Sequence, residues 1–478
     1  MKKYWFISIA LVFFFSSCKK FLQLEPEYVV NTASFYKTEQ DFETAIIGSY
    51  SQLQPLYNAT MIYLGELTTD NAHILWTSPT TSESELDEMR VTPSNGFVGN
   101  AWNWNYKIVT ESNTILDNIE NAGLRDAIKA QYKGEAEFLR AYAYFNLVRL
   151  FGDLPIVTHN FESPGAIQSY DMSRKSVDSV YAIIIADLQQ ASSDLQGVTS
   201  LSKSRASVGA AKALLGKVYL TRHQYAEASA VLNDVISGGT YSLQTDYGSL
   251  FTNNNNELPE SVFEIKYLSG NIGEGNSFSS IFTPPSFNAA IFPMNMNGSG
   301  RIIPTRDIIN AYEPDDIRRK ESIMDSLRVQ GGTYEPIPYG LKLVDFTVGI
   351  PGDGGVNYIA LRYADVLLMY AEALNELDKT GDAYTYINKV RERAGLNDLS
   401  GLSKEQFRTA MEKERRVEFL CEGYRWFDLV RTGRAITVID DYFKNNGLSF
   451  SVTQDELLMP IPQRETDINP NLKQNPGY

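Results

Sequence analysis

The stretch EKERRVEFLCEGYRWFDLVRTG, Glu412 to Gly433, carries apolar residues at Val417, Leu420, Cys421, Tyr424, Phe427 and Val430. These recur at i, i+3, i+4 and i+7, the spacing of one buried helix stripe. Arg415, Arg416, Glu418, Glu422, Arg425, Asp428 and Arg431 surround the stripe. Both charge signs beside a core stripe predict buried or half-buried ion pairs. Gly423 falls in the middle and predicts a kink or break. Cys421 lies on the stripe and reads as a small core residue.

Outward from that stretch, the chain shows an internal repeat. Gly216, Tyr219, Ala228, Leu232 and Val235 match Ala371, Leu374, Ala383, Ile387 and Val390, each pair 155 residues apart. Small residues at a close helix crossing, then an apolar seam on the second helix, are the tetratricopeptide pattern. Ala206–Ser237 and Leu361–Gly395 therefore read as helical hairpins, with the second hairpin spanning 361–395. Glu135–Phe151 with Asp178–Leu195 reads as a further, more loosely connected pair. The copies are far apart in sequence, which argues against one continuous solenoid.

Between the hairpins, residues 239–355 are rich in Gly, Asn, Ser, Pro and aromatics. Phe282, Phe287, Ile291, Phe292 and Met294 are too apolar for a solvated linker. This excursion reads as loops and short strands on one face of a helical body, with strand-like runs at Ser261–Tyr267 and Lys342–Phe346. Ahead of it, Thr38-Glu-Gln-Asp41 is a capping-box start to a helix that Pro55 is expected to end. Thr68–Gly99 lacks a clean period and reads as a long loop, a common place for function. At the other end, Leu457–Pro462 reads as extended, and the proline spacing argues against helix thereafter. The expected fold is mainly α: tetratricopeptide-like hairpins in a single large body, whose irregular excursion carries the ligand face.

Composition sets bounds. With 478 residues, 43% apolar and 21% charged, the chain can build a substantial core. A net charge of −15 argues against nucleic acid and against an anionic membrane surface. The 28 tyrosines suggest that some ring surface faces solvent or a pocket. Lys2 and Lys3, then the apolar run Tyr4–Phe15 and Ser16-Ser17-Cys18, form a targeting segment. The run is too short to span a bilayer of about 30 Å. Residues 1–17 are expected to be a lipoprotein signal peptide and Cys18 the lipidated N-terminus, although Phe15 stands where such boxes usually carry Leu. A plain secretory signal with an incidental Cys is the other reading. The three histidines, His73, His159 and His223, are not spaced as metal ligands, and no nucleotide-binding glycine spacing occurs. No local motif calls for catalysis.

Taken in order, these blocks resemble the SusD/RagB family of Bacteroidetes surface lipoproteins. The resemblance rests on Phe21-Leu22 with Pro26, on Thr38–Leu53, and on Trp102, Tyr106 and Asn113. It continues through Ile359–Glu376 (IALRYADVLLMYAEALNE), Ile387–Leu396, Glu414–Gly433, Pro460-Ile461-Pro462, Asn469-Pro470 and Gln474–Tyr478. It implies a helical N-terminal part over 18–238 and a SusD/RagB C-terminal part over 239–478. It also implies a cell-surface binding protein, not an enzyme and without cofactor. Such a protein is anchored by lipid to the outer membrane, captures an oligosaccharide, and partners a TonB-dependent transporter of the SusC type. Peptide capture on the same architecture, or a tetratricopeptide scaffold for protein partners, are the alternatives. For sugar, flat aromatic faces with a few polar partners are needed. Trp76, Trp102 and Trp104 lie where the family's site tends to begin, and Phe282, Phe287 and Phe292 lie in the variable excursion. Asp70, Asn71 and Arg301 are candidate polar partners. Core packing is the competing reading for each aromatic, above all for Trp102.

Overall fold

A computed structural model describes residues 35–75, 79–161, 164–199, 201–285, 292, 297–328 and 333–478. The signal segment, Cys18 and the Phe21-Leu22 block lie outside the described residues, as do Trp76 and Phe287.

The first of the described helices, Glu39–Ser51, starts as its sequence dictates. Thr38 Oγ1 accepts from Asp41 N at 3.3 Å and Thr38 N donates to Asp41 Oδ2 at 2.8 Å, so two orphan N–H groups are satisfied reciprocally. Pro55 does not stop the chain's helical course. The break falls at Gln52, and Pro55 sits in a short new helical piece, Leu53–Pro55. There its missing N–H leaves no hydrogen bond unmade. Two wide π-helical turns follow, Leu56–Thr60 and Tyr63–Leu67.

The body is a stack of antiparallel helices. Asp126–Phe151 packs on Gly96–Ile119 on one side and on Val177–Asp194 on the other, and the latter packs on Val208–Thr221. The two predicted hairpins are Val208–Thr221 with Tyr225–Ser237, and Tyr363–Glu376 with Thr380–Arg393. Their correspondence extends to the connections: His223 and Asp378, again 155 apart, both take left-handed backbone, at φ 57° and 61°. Gly216 explains the small residue at the crossing. A Cβ there would fall 2.4 Å from Leu232 Cδ2. In space the hairpins are neighbours, because Tyr225–Ser237 packs on Tyr363–Glu376. The expected interruption of the solenoid thus holds along the chain and not in the fold.

The excursion leaves and re-enters through one antiparallel ladder. Ser261–Ile265 pairs with Tyr358–Arg362, with irregular register near Phe263. The first strand was expected. The second was read as part of the following helical hairpin, because a fully buried run of five carries no period. The other expected strand, Lys342–Phe346, is a turn in which Leu343 has φ 63°. Thr68–Gly99 is not all loop either. It holds the helix Thr81–Asp87, capped by a second reciprocal box between Thr80 and Glu83. Near the end, a short helix, Gln463–Ile468, fits between Pro462 and Asn469, where the proline spacing had argued against one.

The opening stretch folds as helix Lys404–Glu418, a turn, and helix Arg425–Arg431. The break is wider than one glycine: Cys421 and Gly423 both have left-handed backbone, at φ 66° and 73°. The turn seats against the π-helical turn so closely that a Cβ on Gly65 would lie 2.2 Å from Gly423 O. Beneath it runs the predicted ion-pair network. Arg362 binds Glu260, Glu418 and Glu422, and Arg318 binds Asp316, Glu414 and Glu418. Burial alone would push the Glu418 carboxyl up, but Arg393, Arg362 and Arg318 hold it well below the usual carboxylate range. Three tyrosine hydroxyls complete this core. Tyr312 donates to Val417 O at 3.1 Å, Tyr247 to Glu418 O at 2.8 Å and Tyr358 to Glu422 O at 2.7 Å. They satisfy carbonyls orphaned where the helix ends.

Candidate functional site

The fold brings the two irregular segments together. Ala72–His73 pairs antiparallel with Ile303–Pro304, and Leu75 N donates to Gly300 O at 2.9 Å. The loop 72–75 is pinned from beneath, since Ile74 N donates to the Asp87 carboxylate at 3.3 Å. Burial raises Asp87 to about 7. His73 is likewise driven toward its neutral form by burial.

One ion pair crosses this seam. Arg301 Nε lies 3.2 Å from Glu83 Oε1, and the Tyr63 hydroxyl donates to the same oxygen at 3.4 Å. Tyr63 stacks on Phe97, with ring centroids 4.4 Å apart. Tyr63 and Glu83 are buried and partner each other, so Glu83 holds the half-buried Arg301 beside the half-buried Phe97 ring. A guanidinium next to a ring suits hydroxyl-rich ligands. Tyr63, Glu83 and Phe97 had not been singled out from the sequence. Glu83 was signalled by the capping-box spacing Thr80-Thr81-Ser82-Glu83, in which Thr80 is followed three residues later by Glu83.

Of the predicted site residues that are described, Arg301 is placed on this seam. Asp70 and Asn71 are buried. Asp70 takes Arg425 at 2.8 Å and Arg416 at 2.8 Å, and Asn71 accepts from Arg416 Nε at 2.8 Å and donates to Glu66 at 3.1 Å. Both are engaged by internal partners. Trp102 packs edge-on against Phe151 in the core. Phe282 is fully buried beside Phe278. Phe292 is buried and stacked on Phe346, with centroids 5.8 Å apart. Trp104 is half-buried with Lys107 Nζ 5.2 Å from its ring centroid. It lies seven residues along the helix from Phe97, about 10 Å from the seam.

A second concavity, of about 670 Å³, opens over the outer face of Lys404–Glu418, the stretch from which the reading began. Its arginines are paired with carboxylates. Arg408 pairs with Glu376, Arg431 with Glu372, and Arg434 with Glu412. Among the described residues no three His, Cys, Asp or Glu side chains converge as a metal site requires, and no helix is long and apolar enough to cross a membrane.

Comparison with known proteins agrees along the chain. Residues 342–478 match the profile described as the SusD family, and residues 20–220 match one described as starch-binding, associating with the outer membrane. The residues between the two matches, 221–341, hold most of the excursion. SusD-like protein P38 of Formosa agariphila is 30% identical, with 100% of both chains covered. The starch-binding protein SusD of Bacteroides thetaiotaomicron is 25% identical over 77% of this chain and 76% of its own. Among solved structures, a laminarin-binding SusD-like protein superposes with a TM-score of 0.78 at 25% identity, covering 93% of this chain and 100% of that one. On the stacked hairpins, the closing turn and these matches, the chain belongs to the SusD family.

Proposed function

We propose that this protein captures oligosaccharide outside the cell and passes it to a TonB-dependent transporter of the SusC type, held at the outer membrane by lipid on Cys18. Proteins of this family bind carbohydrate and do not transform it, and this chain is not an enzyme. The observation that carries the reading is the joined seam. Arg301 and Glu83 come from two irregular segments that the fold brings together across a short ladder. Trp76 directly follows Leu75, the last residue of the loop edge bonded to Gly300. Relatives whose names state starch or laminarin binding support a glucan as the first ligand class to try.

Calorimetric titration with malto- and laminari-oligosaccharides, beside a peptide library, tests it. Binding of one glucan series is expected. Trp76→Ala should weaken it about tenfold, roughly 1.4 kcal/mol, without lowering the melting temperature. Tight binding of peptides and none of glycans would replace this reading with peptide capture. The transporter step is tested by co-purification from membranes. A protein that leaves the membrane unaccompanied under mild detergent argues against it.

A further inference from the structure

Arg149, in the last turn of Asp126–Phe151, differs from the arginines around it. Its guanidinium is clamped between two rings, 4.0 Å from the Phe145 centroid and 4.1 Å from that of Phe427. Its Nε donates to Phe145 O at 3.0 Å and its Nη2 to Asn146 Oδ1 at 2.8 Å. Three of its five N–H groups therefore have no protein acceptor among the described residues, and no carboxylate there lies within ion-pairing distance. Its neighbours are all compensated. Arg415 has Asp365 and Asp428, and Arg431 has Glu372 and Asp428.

The same guanidinium lines a small cavity of about 50 Å³, with Lys217, Arg415 and Arg431 also in its wall. Lys217 reaches Asp365 at 3.0 Å and sits 3.9 Å from the Tyr424 ring centroid. Around the cavity, four cations thus face three carboxylates, Asp365, Asp428 and Glu372, which leaves one positive charge over. Arg149 is half-buried, and an unpaired charge held between two rings favours a counter-ion or water at its free N–H groups. Burial lowers Lys217 to about 8; the Asp365 carboxylate opposes that shift and Arg149 and Arg415 add to it.

We propose that this cavity binds a small monovalent anion of halide size, held by Arg149 and Lys217. The volume admits an ion with about one or two waters and is too small for a sugar ring. The aromatic clamp fixes the guanidinium so that its remaining N–H groups cannot turn to another acceptor. The bound ion would tie three elements together: the end of Asp126–Phe151, the hairpin helix carrying Lys217, and the helix carrying Phe427. The site owes nothing to the glycan-binding seam, whose Arg301 and Glu83 do not line it.

The test uses the full mature chain at constant ionic strength, exchanging sodium gluconate for sodium chloride. A saturable rise of melting temperature on the order of 2 °C is expected in the wild type, and none in Arg149→Gln. Equal melting in both salts, or a chloride response that survives in Arg149→Gln, overturns the proposal. Should Arg149→Gln fail to fold, wild-type crystals grown in bromide decide it. An anomalous peak within hydrogen-bonding reach of the guanidinium supports the site, and an empty cavity at high bromide rejects it.

Discussion

Arg425 shows how a charged residue beside the core can be framework rather than site. Its guanidinium takes both oxygens of Asp70, at 2.8 and 2.9 Å, and reaches Glu412 at 3.3 Å. Asp70 is held below its ordinary value: burial opposes ionisation, and Arg425 and then Arg416 outweigh it. Arg425→Ala leaves the buried Asp70 carboxylate with Arg416 as its remaining cation, a loss of up to about 3–5 kcal/mol. A clear drop in melting temperature with glycan affinity retained in the folded fraction is the expected outcome. Unchanged melting with lost binding would show that Arg425 serves the ligand. Glu137 makes the opposite case. Its Oε2 and the Oδ2 of Asp194 are both buried without a hydrogen-bond partner. Burial, then Asp194 and Asp187, raises it to about 8. A raised carboxyl keeps its proton in the folded state where the unfolded chain has released it. Its contribution is therefore favourable near pH 5 and is lost as pH rises toward 8 and beyond. Glu137→Gln should stabilise the protein at pH 9 by about 1–3 kcal/mol and leave it unchanged at pH 5. Urea midpoints at the two pH values measure this, and a gain of equal size at both would exclude the titration account.

At the scale of elements, the π-helical turn Tyr63–Leu67 and the turn Cys421–Gly423 meet backbone to backbone. Glu66, buried there and raised to about 7 mainly by its burial, accepts Gly423 N at 2.8 Å. Gly65→Ala places a methyl group 2.2 Å from a backbone oxygen that cannot swing aside. Several kcal/mol of destabilisation is expected, visible as poor expression or early melting, while Gly48→Ala, with open space around it, serves as the neutral control. The same elements explain what the sequence makes legible. Hairpins were readable because their signal is local: small residues at a crossing and a seam at helical spacing, repeated at one offset. The strand Tyr358–Arg362 was not, since burial on every side erases alternation. Thr68–Asn71 looked like solvated loop because it is polar. Its polarity serves Arg416 and Arg425, roughly 350 positions away, and no local pattern contains that partner. The tyrosines divide as composition suggested: Tyr334 is exposed and Tyr57, Tyr142, Tyr358 and Tyr424 line a cavity, while the Tyr247 and Tyr312 hydroxyls cap carbonyls inside the body. On the seam, Arg301 was anticipated from its place in the chain, whereas Tyr63 and Phe97 were hidden by looking like ordinary core.

At the scale of the whole molecule, the ends of the stack are held by chain segments distant in sequence. The carbonyl of Phe151 closes the longest helix, and Asn475 Nδ2 donates to it at 3.1 Å and to Met459 O at 2.7 Å. Arg174 adds a bond to Asn475 Oδ1 at 2.6 Å and another to Lys473 O at 2.9 Å. Met459 N returns to Leu150 O at 2.7 Å. Residues 459–475 thus act as a strap over residues 150–174, from the part of the chain that precedes the excursion. If that part and the remainder were independent, removing Asn475–Tyr478 would disturb the second alone. The contacts argue instead that both respond. Deletion leaves the Met459 carbonyl without its Asn475 donor, at about 1–3 kcal/mol, takes one of two donors from Phe151 O, and removes the Asn475 partner of Arg174. Scanning calorimetry of the truncated chain should show one endotherm shifted down by several degrees, with protection of the Asp126–Phe151 amides reduced in hydrogen exchange. An early, separate endotherm that leaves the exchange of Asp126–Phe151 unchanged would show two units rather than one body.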